Sequence, residues 1–101
     1  MKYFIIGDED TVLGFGMVGV DGTIVRTADE ARIAIKNAIN DRSIGIIIIT
    51  ERIANFIRET VDRYIFTLSF PLIVEIPDRT GPMKGRKNIR DAVNTAIGIK
   101  L

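Results

Sequence analysis

Residues 44–49 carry five isoleucines and a glycine, with no polar side chain among them. A β-strand turns successive side chains to opposite faces, so a strand made from this run is apolar on both. That arrangement is stable only where both faces are covered, as at the centre of a parallel sheet flanked by helices. The run falls far short of the ~20 residues that cross a bilayer. A buried strand is expected here, and a protein not integral to a membrane.

The other segments fit around it. Residues 3–6, 23–25 and 72–76 read as further strands, the last limited by Pro71 and Pro77, neither of which can donate to a ladder. Thr27-Ala28-Asp29-Glu30 has the spacing of a capping box, so a helix should begin there, with Ala28, Ala31, Ile35, Ala38 and Ile39 along one stripe. A second helix after Thr50 places Ile53, Ile57, Val61 and Tyr64 at near-helical spacing and leaves Arg52, Glu59, Asp62 and Arg63 for solvent. Residues 11–18 are apolar but contain Gly14 and Gly16, which predicts a short, imperfect helix or turn. Asn88 could cap a last helix bearing Ile89, Val93, Ala96 and Ile97 and closed by Gly98.

Strands alternating with helices imply right-handed crossovers and an α/β fold: a flavodoxin-like, four-stranded parallel sheet of order 2-1-3-4, with helices on both faces and a C-terminal helix. Residues 1–77 would form the core, with residues 78–101 a linker and helix belonging to the same domain. A length of 101 residues suits one domain, burying roughly 60 to 68% of the unfolded surface.

The residues that are missing bound the chemistry. The chain has neither cysteine nor histidine. That removes disulfides, thiol nucleophiles, Ser-His-Asp and Cys-His arrangements and the common zinc sites, and it favours a reducing cytoplasm. The N-terminal apolar stretch is broken by Gly7-Asp8-Glu9-Asp10 and is too short for a signal peptide core. With 47% hydrophobic residues and a net charge of +1, an ordinary soluble globule is expected rather than a disordered or nucleic-acid-wrapping chain.

Three features resemble functional motifs. Gly14-Phe15-Gly16-Met17-Val18-Gly19 matches the dinucleotide fingerprint G-x-G-x-x-G letter for letter. Its first glycine does not directly follow a strand, however, and its third leads towards another strand, so the pyrophosphate would not meet a helix N-terminus. A structural role in tight turns and close packing fits better, and no cofactor is expected. Asp8, Glu9 and Asp10 follow the first strand at the ligand-binding edge of such sheets, which suggests a Mg²⁺ or phosphoreceiver pocket. Thr50 and Glu51 stand where a receiver needs an aspartate, and no lysine follows a later strand. The simpler reading makes Asp8 a cap and puts Glu9 and Asp10 at a helix's positive end, with no metal. Finally, residues 78–101 carry a net charge of +4 and residues 1–77 a net −3. A basic segment without Phe or Tyr suits an acidic protein surface better than nucleic acid.

Taken in order, residues 7–20, residues 46–54 and residues 71–77 resemble the family of F subunits of V/A-type rotary ATPases and ATP synthases. The likeness continues through the glycine- and proline-containing linker at residues 78–82 and into residues 89–99. Such a resemblance implies a non-catalytic central-stalk subunit without cofactor or metal. It would bind the D subunit, turn inside the catalytic A/B hexamer, and couple ATP hydrolysis or synthesis to proton or sodium transport. It would sit in the cytoplasm, touching the membrane only through the complex. In that family the C-terminal segment can extend and meet the hexamer. Ile89, Val93, Ala96 and Ile97 are therefore expected to form an apolar stripe that rests on the domain or docks on a partner, with Arg86, Lys87 and Arg90 adding charge steering. The alternative is a stand-alone phosphoreceiver or nucleotide-binding signalling module.

Overall fold

In the computed structural model, which describes residues 1–77, the isoleucine run forms β3 (Ile44–Thr50), buried throughout except at Ile46. It is an inner strand of an all-parallel sheet ordered β2-β1-β3-β4, with β1 at Lys2–Gly7, β2 at Asp21–Ile24 and β4 at Leu72–Ile76. This is the expected flavodoxin-like order. Four helices connect the strands: α1 (Glu9–Gly16), α2 (Ala28–Asn40), α3 (Glu51–Phe56) and α4 (Arg58–Thr67). The expected C-terminal helix lies outside the described residues.

The predicted cap of α2 forms. The Glu30 amide donates to Thr27 Oγ1 at 3.1 Å, and Glu30 Oε1 reaches back to the Arg26 amide at 2.8 Å, one residue before the position a capping box uses. The stripe of α2 buries Ala31, Ala34, Ile35 and Ala38.

Three local expectations need correction. The helix expected within residues 11–18 begins at Glu9, because Asp8 caps it. The single helix expected after Thr50 is two helices, broken at Ile57, where φ is −131° and ψ 41°. In one straight helix, positions four apart rotate by about 40° per step relative to the axis. The break resets that drift and keeps Ile53, Ile57 and Val61 all buried in the core. Strand β2 starts earlier than its apolar residues suggested, at Asp21, because pairing with β1 recruits it: Phe4 lies opposite Asp21 and Ile5 opposite Gly22. A side chain at Gly22 would put its Cβ 2.6 Å from the Ile5 carbonyl oxygen, so this close approach of strands requires glycine.

The sheet separates two apolar clusters. On one face Ile6, Ile47 and Ile49 pack with α2, α3 and α4 in a core that includes Ile35, Ile53, Ala54 and Val61. On the other, Ile5 and Ile48 meet Val12 of α1, with Phe15, Ile24, Ile46 and Ile76 only partly buried around them.

Candidate functional site

The ligand-binding edge of an open parallel sheet is the C-terminal ends of its strands, and here those ends are occupied by structural contacts. Asp8 accepts from the Thr11 amide at 3.2 Å and from Thr11 Oγ1 at 2.6 Å, which makes it the N-cap of α1. Glu9 and Asp10 fall in the first turn, where the helix dipole favours negative charge. At the end of β3, fully buried Thr50 caps α3 by accepting from the Ile53 amide at 3.3 Å. The capping reading of Asp8 therefore holds. Among the described residues, no group of three or more acidic side chains is placed to hold a metal ion.

Gly14 and Gly16 lie inside α1, so the fingerprint glycines do not form a loop at a helix N-terminus. The expectation that they allow close packing is not met among the described residues: a Cβ at Gly14 or Gly16 would have no neighbour within 4 Å. Only Gly19 has a conformational reason to be glycine, with φ at +88° in the turn before β2.

A polar cluster that the sequence reading did not single out ties β4 to the helices. Arg58 donates to both carboxylate oxygens of Glu75, at 2.6 and 2.8 Å, to Asp62 at 3.1 Å, and to Asn55 Oδ1 from two of its nitrogens, at 2.6 and 3.1 Å. These contacts engage the five N–H donors of a guanidinium. The bonds to Glu75 raise the Arg58 pKa above its ordinary value, against the cost of partial burial. Two signals were present: Arg58 and Asp62 stand four apart on a helix, and Glu75 is the only charge in an apolar strand. Asp62, expected to face solvent, belongs to this clamp.

On the opposite face of the sheet from the clamp, the α1 side is open over the edge strand β4. A groove of about 430 Å³ runs there, with Gly14, Phe15 and Val18 on one wall and Ile76 and Pro77 on the other. Farther along, Tyr3, Ile46 and Leu72 share one register row and Ile48 and Val74 the next. Leu72 is 57% exposed and Val74 37%. The sequence-predicted binding residues Arg86, Lys87, Ile89, Arg90, Val93, Ala96 and Ile97 lie outside the described residues.

Residues 4–93 match the family described as the ATP synthase (F/14-kDa) subunit. The chain belongs to this family. Among its relatives, the A-type ATP synthase F subunit of Methanothermobacter thermautotrophicus is 40% identical, over 96% of this chain and 92% of the relative. The A-type ATP synthase F subunit of Thermococcus sibiricus is 35% identical over 100% and 98% of the two chains. The V-type ATP synthase F subunit of Fusobacterium nucleatum is 41% identical over 99% and 94%. The family expected from the sequence is thus the one found, and the chain is the F subunit of an A/V-type ATP synthase complex. No helix among the described residues is long and apolar enough to cross a membrane.

Proposed function

We propose that the chain is a non-catalytic rotor subunit of the central stalk, which binds the D subunit and couples or regulates ATP hydrolysis or synthesis with proton or sodium transport. The observation that carries this reading is similarity to the F subunits of A-type and V-type ATP synthases along essentially the whole chain. The chemistry agrees with it. A chain without histidine or cysteine lacks the usual acid, base and nucleophile pairs, and its sheet-edge residues Asp8 and Thr50 are engaged in capping. A torque-carrying part needs a rigid core and protein-facing surfaces, which an α/β sheet with β3 buried on both faces supplies. The folded domain would meet the D subunit, and residues 78–101 would reach the A/B hexamer through Arg86, Lys87, Ile89, Arg90, Val93, Ala96 and Ile97. The assembly would work on the cytoplasmic side, as a soluble sector peripheral to the membrane.

Co-expression with the D subunit should give a stable one-to-one complex on size exclusion; two separately eluting proteins would overturn the stalk assignment. Removing residues 79–101 should leave that complex intact and change ATPase turnover of the reconstituted assembly. Unchanged turnover would remove the regulatory role from the segment.

A further inference from the structure

Among the described residues β2 pairs only with β1, so one of its edges is free. The Val25 amide donates to the Gly7 carbonyl at 3.0 Å. Backbone groups along a strand turn to alternate sides, so Asp21 and Thr23 share that inward direction, and Gly22 and Ile24 each turn an amide and a carbonyl to the free edge. Those are the donors and acceptors that a further strand would use.

Beside that edge lies a cleft of about 370 Å³ at the margin of the sheet. Helix α2 packs mainly over β1 and β3, so it stands to the side of β2 and forms one wall. The floor is Phe4 and Thr23, both half-buried. A Cβ at Gly22 would meet Ile5 and Val12 on the α1 side, so Thr23 faces the cleft on the other. The wall is made of small side chains, Ala34 and Ala38, and its rim carries Ile33, which is 61% exposed. The cleft is thus apolar within, and its two ends are acidic. At one end Glu30 accepts from the Arg26 amide, just past β2. At the other Asp41 is held by Ser43, and Asp21 stands at the start of β2. The nearest cations are already engaged: Lys2 lies 3.7 Å from Asp21, and the Arg26 side chain 3.5 Å from Glu9 on α1.

We propose that this margin receives an extended segment of a partner protein as a fifth strand, with a cation, an apolar residue and a second cation at alternate positions. Running antiparallel to β2, such a strand exchanges a pair of hydrogen bonds with Gly22 and another with Ile24. Its side chains opposite Asp21, Thr23 and Val25 then point into the cleft. The middle one meets the apolar interior and the outer two meet the acidic ends. Glu30 and Asp41 are separated by about 16 Å along α2, and side chains four residues apart on a strand by about 14 Å. The long stem of lysine or arginine closes that difference. Other occupants fit less well. A helix would leave the free amides and carbonyls of Gly22 and Ile24 without ladder partners. A second copy of this chain, with β2 antiparallel to itself, would bring Asp21 to the Glu30 end, like charge against like.

The probe is a capped heptapeptide, Ser-Lys-Thr-Leu-Thr-Lys-Ser, titrated to millimolar concentration into the isotope-labelled full-length chain at low salt. No other subunit is present, so the outcome does not depend on the stalk assignment. The amide signals of Gly22 and Ile24 should move and their hydrogen exchange should slow severalfold, while those of β4 stay in place. N-methylation of both peptide threonines removes the ladder donors and should weaken binding severalfold; replacing both lysines by glutamate should abolish it. The double variant Glu30→Gln with Asp41→Asn keeps acceptors for Arg26 and Ser43 but loses the charge. It should bind the peptide severalfold more weakly at an unchanged melting midpoint. No movement at β2, shifts centred on another face, or equal binding by either altered peptide or by the double variant would each overturn the proposal.

Discussion

On the face covered by α2, α3 and α4, Ile47 and Ile49 of β3 are fully buried, whereas on the α1 face Leu72 and Val74 of β4, which pair with Ile46 and Ile48, lie open beside a single helix. The same sheet is thus closed on one side and half closed on the other. The difference teaches where stability resides and where binding is available: the closed face holds the domain together, and the open one offers apolar surface at little cost to the fold.

The sharpest way to break this comparison is a pair of truncations. Ile49→Ala should lose about 2–5 kcal/mol, the range for emptying a packed core site, whereas Val74→Ala, on residues 1–77 alone, should lose less than about 1 kcal/mol. Urea midpoints at constant slope measure both; similar losses would mean that the faces do not differ. Next, Arg58→Ala should destabilise by about 2 kcal/mol, less than for a fully buried pair because its side chain is 29% exposed. Chemical shifts of β4 should move more than those of β1 if the clamp serves to hold the edge strand. Asp8→Ala should cost about 1 kcal/mol through loss of the α1 cap, and Asp8→Asn much less, since asparagine also caps. An equal loss for both would point to a need for charge rather than a cap.

The smallest effect belongs to neither face. Asp41 accepts from Ser43 Oγ at 2.6 Å and from the Ser43 amide at 3.0 Å, and these bonds hold its pKa below the ordinary 3.8. Because the folded value is the lower one, the contribution is present in full above the unfolded pKa and is lost as pH falls through the folded one. An NMR titration should place the Asp41 midpoint below 3.8. Ser43→Ala should raise that midpoint; no change would remove the hydroxyl as the cause.

Much of the fold was legible because it depends on local patterning. The isoleucines of β3 announce burial on both faces, Pro71 and Pro77 bound β4, and Thr27 with Glu30 marks the start of α2. What was not legible depends on contacts between distant residues. Gly22 and Asp21 are poor strand formers, and only their pairing with Phe4 and Ile5 makes them β2. Ile57 carries no mark of a helix break, since what interrupts the helix is the demand to bury Ile53, Ile57 and Val61 together. Glu75 and Arg58 lie 17 residues apart, so their pairing had no local signal stronger than a single charge in an apolar strand.

The sequence by itself determined the alternation of strands and helices, the buried strand at residues 44–49 and the kinds of chemistry the chain lacks, because periodicity, capping and composition act on neighbouring residues; the family came from its likeness to known F subunits. Tertiary structure alone decided which carboxylates cap and which clamp, and which apolar side chains of the edge strand remain open. Those outcomes follow from how elements distant in sequence share one sheet, and no local pattern specifies how completely each face is covered.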